Sequence, residues 1–258
     1  MILNVQLIEC GPAAAVNAYR RRLNPERVDG LRYARTYLTA ELRRGMLPSM
    51  TVTGAVLFTG WDDQECADRF RDHPVARRFS GGYEVSLEPA RSIGLLPGLP
   101  ELPRREVQIP EGSPVAAYTS GRVKASRFLP FLRAAAAAER EAVNHPGFLE
   151  GISIMRPPLV IATFSLWRSV ASMRDYVTGS YPGGHLRAVQ ADRHKGFNSE
   201  MFFSRHIPLA ASGTWHGADP LAGLLRSQSA NGYTVPRATV AVSDRHGPAV
   251  GANGKPPS

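Results

Sequence analysis

The sequence predicts an α+β protein in which two ferredoxin-like βαββαβ repeats form an intrachain pseudodimeric α+β barrel. Segments 54–79 and 159–189 share one order: a β-rich run, a tryptophan, a polar helix cap, an amphipathic helix and a histidine. Trp61 and Trp167 occupy equivalent places in the two segments. Extending both segments outward gives the same series of elements twice, with a stretch rich in proline and glycine between them.

In the first repeat, the apolar runs and turn signals predict six elements. They are a strand at 2–10, a helix at 12–23, strands at 31–42 and 49–58, a helix at 63–79 and a strand at 83–90. Asp62 or Asp63 is a suitable cap for the second helix, because its side chain can accept from free amides of the first turn.

The second repeat follows the same order. Its elements are a strand at 114–123, a helix at 126–144, strands at 148–156 and 159–167, a broken helix at 169–193 and a strand at 199–209. Pro130 lies near the start of its helix, where a missing amide costs little, and the alanine run that follows has high helical propensity. Ser169 is the predicted cap of the last helix.

These elements divide the chain into four parts. Residues 1–91 form the first repeat, 92–113 the linker, 114–217 the second repeat, and 218–258 an irregular C-terminal tail.

Composition excludes several classes of protein. The 31 Lys and Arg against 22 Asp and Glu give a net charge of +9, but the arginines are scattered and no nucleic-acid-binding motif accompanies them. No apolar run is long enough to span a membrane, and the N-terminus lacks the pattern of a secretory leader. Cys10 and Cys66 stand apart, which predicts neither a disulfide nor a zinc site. We expect a cytoplasmic protein that binds no nucleic acid.

Three stretches carry a resemblance to a known family. They are "ATFSLWRSVASMRDYV", "GGHLRAV" and "FNSEMFFSRHIPLAASGTW", all in the second repeat. In combination they resemble the spheroidene monooxygenase family, bacterial carotenoid oxygenases similar to haem proteins of the dimeric α+β barrel kind. The resemblance implies haem b in the cavity of the second repeat, a histidine as axial ligand and oxygen-dependent oxidation. It further implies an apolar small-molecule substrate, carotenoid-type or another secondary metabolite, with dioxygen and an electron donor; homodimer formation stays open.

Given that resemblance, His185 is the preferred iron ligand. It follows Gly183 and Gly184, borders an apolar helix face, and would bind iron without covalent attachment of the haem, since no CxxCH motif exists. His194, nine residues later, would point the opposite way on a continuous helix and remains the alternative. A purely structural role for His185, as a helix cap or a backbone hydrogen-bond donor, is equally compatible with the sequence.

Further residues complete the predicted site. On the closing strand, alternation would place Ser204 and His206 on one face and Phe203 and Arg205 on the other. The predicted catalytic residues are His206, Ser165 and Ser204, and the predicted partners of the haem propionates are Arg187 and Arg205. A solvated surface role is the alternative for both arginines.

The leading functional prediction is a haem-dependent monooxygenase. Three alternatives remain open: a haem-dependent dehydratase of the aldoxime type, a cofactor-free barrel monooxygenase, and a noncatalytic haem or ligand carrier.

Overall fold

A computed structural model describes residues 1–42, 51–100, 102, 108–179 and 196–225 of the chain. The first half contains β1 (Ile2–Glu9), α1 (Pro12–Arg20), β2 (Leu31–Glu41), β3 (Gly54–Trp61), α2 (Gln64–Phe70) and β4 (Tyr83–Gly94). The second half contains β5 (Val115–Val123), α3 (Phe128–Asn144), β6 (Phe148–Arg156), β7 (Val160–Trp167), α4 (Val170–Thr178) and β8 (Asn198–Ser212). The described elements therefore run β-α-β-β-α-β in each half.

The eight strands form a closed antiparallel barrel in the order β1-β3-β2-β6-β7-β5-β8-β4. Each half contributes four neighbouring strands, and the halves join where β2 pairs with β6 and where β4 pairs with β8. This arrangement confirms the predicted α+β barrel.

The barrel interior and the outer helix layers are separate cores. Because side chains alternate along a strand, every second residue points into the barrel. Residues of both halves, among them Val5, Phe58, Tyr118, Phe164 and Trp215, fill this interior. The outward-facing residues pack instead against the helices of their own half.

Both predicted helix caps are present and show how the two halves correspond. Asp63 accepts a hydrogen bond from the amide of Cys66 at 2.9 Å, and Ser169 accepts one from the amide of Ser172 at 3.0 Å. These caps satisfy an amide of the first turn in α2 and α4.

Some element boundaries differ from the predicted ones. The helix predicted to reach residue 79 ends at Phe70, because Pro74 cannot continue an α-helix, and a single 3-10 turn follows at Ala76–Arg78. Strand β3 begins at Gly54 rather than at residue 49. Strand β4 continues to Gly94, into the predicted linker, because Ser92–Gly94 pair with β8.

Candidate active site

A slot lies between α3, α4 and the outer face of the second-half sheet. Its volume is about 210 Å³, and its lining is predominantly apolar. On α3 it is bounded by Ala134, Ala138 and Ala142, and on β5 by Ala117, Thr119 and Gly121. Aromatic and sulfur-containing side chains also line it: Phe131, Phe148, Trp167, Met173, Tyr176, Phe197, Met201 and Phe203. The buried carboxylate of Glu139 belongs to the lining as well.

The slot exists because its two long walls carry small side chains. The three alanines repeat every four residues and so share one face of α3, whereas the β5 residues alternate and share one face of the sheet. A Cβ atom at Gly121 would lie 2.6 Å from the side-chain oxygen of Asn198, so a larger residue there would require the Asn198 side chain to move.

The first half has no such wall at the matching positions. The strand registers match Asn4 and Gln6 of β1 to Ala117 and Thr119 of β5. Asn4 and Gln6 are buried, and each donates a hydrogen bond to Glu84, at 3.3 and 3.2 Å. In the first half, polar side chains therefore occupy the space that stays open in the second half.

Ser165 lines the slot and accepts a hydrogen bond from the indole N–H of Trp167 at 2.9 Å. The first half repeats this contact, because the indole N–H of Trp61 donates to Thr59 at the same distance. Since Thr59 has no slot beside it comparable to that of Ser165, this hydrogen bond is a property of the repeated fold. Ser165 therefore has a structural role whatever its part in chemistry.

His206 and Ser204 lie inside the barrel, on the opposite face of the sheet from Ser165. Ser204 pairs with Tyr118 of β5 and His206 with Ala116, and all four side chains are buried in the interior. The predicted alternation of β8 is thus correct, but it divides the three predicted catalytic residues. Only Ser165 lines the slot; Ser204 and His206 are separated from it by the sheet.

The interior environment keeps His206 uncharged. Its Nε2 lies 2.7 Å from the hydroxyl of Ser204, and its Nδ1 is buried with no hydrogen-bond partner among the described residues. Complete burial disfavours the charged ring and lowers the pKa of His206 to about 3. His206 is therefore a neutral group near pH 7.

Arg205 faces the same side of the sheet as the slot. It is half-buried and pairs across the β5–β8 ladder with Ala117, a slot residue. This position suits a cation that contacts an anionic group at the edge of the slot.

The other predicted ligand-binding residues, His185 and Arg187, lie outside the described residues, as does the alternative ligand, His194. The segment 180–195 that contains them is flanked by Val177 and Phe197, and both of these line the slot. Among the described residues, no group of three or more His, Cys, Asp or Glu side chains could hold a metal ion.

The sequence-based reasoning missed the wall of the slot, although a signal was present. The alanine run of α3 indicates high helical propensity, but it also places the methyl groups of Ala134 and Ala138 in the slot, beside the Glu139 carboxylate that accepts a hydrogen bond from Ser153 of β6. No helix of the described residues is long and apolar enough to cross a membrane.

Together, the closed barrel and the helix-covered apolar slot define an α+β barrel protein with a candidate site for an apolar ligand. No protein-family model matches the chain. The chain is 31% identical over 227 residues to spheroidene monooxygenase of Rubrivivax gelatinosus, which covers 84% of this chain and 85% of the relative. It is 28% identical over 166 residues to spheroidene monooxygenase of Rhodobacter capsulatus, covering 62% of this chain and 68% of the relative.

The chain therefore belongs to the spheroidene monooxygenase family, and this membership supports a monooxygenase-like activity. Among solved structures, an aldoxime dehydratase in complex with butyraldoxime shares 12% identity and a TM-score of 0.49, covering 87% of this chain and 84% of that one. An anthrone oxidase-like protein shares 13% identity and a TM-score of 0.32, covering 82% and 91%.

Proposed function

We propose that this protein is a haem-dependent monooxygenase that oxidises an apolar small molecule of the carotenoid type. The observation that carries the proposal is the slot of the second half, which lies between an alanine face of α3 and small side chains of β5. A flat apolar group fits between two such walls, and the first half, with Asn4 and Gln6 at the matching positions, could not accept one.

The chemistry of the lining suits a porphyrin. Ligand sites for such groups are concave and mainly apolar, with few polar contacts. At about 210 Å³ the slot is smaller than the roughly 300–1,000 Å³ of typical ligand pockets, so a macrocycle requires the rings at its ends to rotate outward. Phe131 is half-buried and can rotate outward, and the side chain of Met201 is 46% exposed, whereas Phe197 is buried.

Two groups of this chain would hold the haem. His185 is proposed as the axial ligand, because the segment that carries it begins and ends beside slot residues. Arg205 is proposed as a partner of a propionate, because guanidinium groups pair with carboxylates in a bidentate way. When bound, haem iron supplies the activation of dioxygen, with the axial ligand and the opposite side of the pocket adjusting its reactivity.

The remaining slot residues orient the substrate and exclude water. Hydroxyl-bearing residues on the sheet wall include Thr119, Thr163 and Ser165, and these are candidates for contacts with an oxygen-containing group. The aromatic rings at the ends offer dispersion contacts to a long apolar substrate.

Titration of the purified protein with haemin, followed by absorbance in the Soret region, tests the proposal. We expect a Soret band that His185→Ala greatly weakens and His194→Ala preserves. A spectrum unchanged in His185→Ala, or lost only in His194→Ala, would overturn the assignment of the ligand. Oxygen consumption by colourless, iron-free protein would instead identify a cofactor-free monooxygenase.

The position of the haem is tested by a filling variant. Ala138→Leu places three further carbon atoms in the slot and should reduce haem affinity at least about tenfold, the loss expected when roughly 1.4 kcal/mol of binding free energy disappears. Ala137→Leu is the matched control, because Ala137 lies on the same helix but does not line the slot. Equal haem affinity in both variants would show that haem binds elsewhere.

Turnover separates the remaining functions. A monooxygenase consumes dioxygen and reductant with the substrate. Haem binding without turnover would indicate a carrier, and dehydration of an aldoxime by the ferrous protein without oxygen consumption would indicate a dehydratase.

A further inference from the structure

A basic cavity opens at the end of the barrel where β4 ends and β8 begins. Its volume is about 340 Å³, and it adjoins the slot described above. Three arginines from different strands line it: Arg35 of β2, Arg122 of β5 and Arg156 of β6. The described acidic residue in this lining is Glu200, so positive charge predominates there.

The contacts that these arginines make leave their positive charge facing solvent. Arg122 pairs with Glu200 at 3.2 Å, and both side chains are about half exposed. Arg35 donates to the backbone carbonyl of Pro97, a contact that neutralises no charge. The cavity thus presents a net positive charge to whatever approaches this end of the barrel.

Exposed apolar side chains lie at the same end of the barrel as the arginines, and two of them, Leu95 and Met201, line the basic cavity. Ile93 is 56% exposed, Leu95 69% and Met201 46%, and they are three of the four exposed large hydrophobic residues of the described chain. Ile93 pairs with Phe203 on β8, whose neighbour Phe202 pairs with Gly94, so these residues belong to one edge of the β4–β8 ladder. We call this surface, formed by Ile93, Leu95, Met201 and the three arginines, the rim.

The rim is continuous with the slot. Ser120, Gly121 and Met201 line both the basic cavity and the slot, so the two cavities adjoin at these residues. An apolar molecule that enters at the rim therefore has a short path to the slot.

We propose that the rim docks on the surface of a lipid bilayer that contains anionic lipids, and that the apolar substrate passes from the bilayer to the slot at this place. Apolar side chains that insert at the headgroup boundary and cations that face anionic headgroups are the two contributions that bind a protein to such a surface. The transfer of substrate rests on the proposed function; the docking itself does not.

Sedimentation with vesicles tests the docking. The full-length protein should bind vesicles made of equal parts of phosphatidylglycerol and phosphatidylcholine, and bind vesicles of phosphatidylcholine alone much more weakly. Binding should weaken at about 1 M salt, because the Debye length then falls to about 3 Å. Equal binding to both kinds of vesicle would overturn the electrostatic part of the proposal.

Substitutions locate the contact. Arg156→Gln should weaken binding about fivefold, the effect of one cation near an anionic surface. Leu95→Ser should weaken it by about tenfold, because an aliphatic side chain no longer inserts. The matched controls are Arg77→Gln, an exposed arginine beside the start of β4, and Leu129→Ser, a leucine that is 67% exposed on α3. Losses as large in the controls as in the rim variants would overturn the proposal.

A second copy of the chain is the competing occupant. If the protein elutes as a dimer, Leu95→Ser as a monomer, and neither sediments with vesicles, then the rim is an interface between copies and the proposal is wrong.

Haem absorbance of the same samples separates the docking proposal from the proposed haem-dependent function. Leu95→Ser should keep the Soret band of the unaltered protein, since Leu95 does not line the slot. Vesicle binding without any haem absorbance would leave the docking valid and reject the haem-dependent function. Normal haem absorbance without vesicle binding would reject the docking only.

Discussion

His206 illustrates how one residue can be placed correctly by sequence and yet have a different environment from the expected one. Alternation along β8 predicts its face, but which face points into the barrel depends on how the sheet closes. Inside the barrel, His206 shares a hydrogen bond with Ser204 and is shielded from water, so its pKa falls to about 3. A proton donor or acceptor of the slot must therefore come from the other face.

The burial of His206 makes stability depend on pH. In the unfolded chain the ring binds a proton below about pH 6.5, whereas in the folded protein it stays neutral down to about pH 3. Protons then favour the unfolded state, and the stabilisation present above pH 6.5 is lost as the pH falls toward 3. We expect His206 to contribute a loss of about 1.4 kcal/mol in the free energy of unfolding per pH unit between about pH 6 and pH 4.

Urea unfolding of His206→Gln at several pH values in this window measures that contribution. The variant should be less stable at pH 7 but should lose less stability on acidification than the unaltered protein. Ser204→Ala is the matched control, because it removes the hydrogen bond but leaves the ring buried and so keeps the steep dependence. If the free energy of unfolding of His206→Gln fell with pH as steeply as that of the unaltered protein, the steep pH dependence would not come from His206.

The two capped helices, α2 and α4, form a matched pair. Asp63 and Ser169 each satisfy an amide of the first turn, so Asp63→Ala and Ser169→Ala should each lower the free energy of unfolding by about 1 kcal/mol. The two helices cover different regions of the protein. Helix α4 supplies Met173 and Tyr176 to the slot, whereas α2 covers the first-half core.

Only Ser169→Ala should therefore weaken haem binding in addition to lowering stability. Chemical unfolding gives the change in stability, and haemin titration gives the change in affinity. If both variants weakened haem binding equally, the effect would come from overall stability, and α4 would have no particular part in the site.

The elements themselves were largely predictable from sequence, because their signals are local. The apolar run and the tryptophan of β7, the cap at Ser169 and the order of elements follow from spacing. The predicted boundaries were wrong where pairing between distant segments decides the end of a strand. Strand β4, for example, extends to Gly94 by pairing with β8.

The slot could not be predicted in the same way. It requires the alanine face of α3 to meet Ala117, Thr119 and Gly121 of β5 across the helix–sheet interface. Each set of small residues has an ordinary local explanation, helical propensity for the alanines and turn or strand irregularity for the glycine. Only their opposition in space leaves a cavity, and sequence spacing does not report that opposition.

The two halves share the barrel interior but differ in their outer layers. The barrel interior takes residues from both halves, and the ladders β2–β6 and β4–β8 close it. The first half covers its sheet with Asn4, Gln6 and Glu84, whereas the second leaves the slot. This asymmetry places the proposed ligand site in one half, while both halves contribute to the shared interior.

The three tryptophans report on these three regions separately. Trp61 lies in the helix–sheet core of the first half, Trp167 in that of the second, and Trp215 in the barrel interior, where it stacks on Phe164 with ring centroids 6.4 Å apart. Three proteins that each keep one tryptophan, with phenylalanine at the other two positions, would isolate the signals. Because the interior is shared, we expect a single cooperative transition in each protein, with fluorescence and circular dichroism giving the same midpoint.

Haemin extends this test from folding to binding. A ligand that binds only the folded state stabilises the whole cooperative unit, so saturating haemin should raise the midpoint seen by Trp61 as much as that seen by Trp167, although only Trp167 lines the slot. A rise confined to Trp167, or a Trp61 transition separate from the circular dichroism, would mean that the halves unfold independently. In that case the β2–β6 and β4–β8 ladders would hold together two domains of separate stability rather than one barrel.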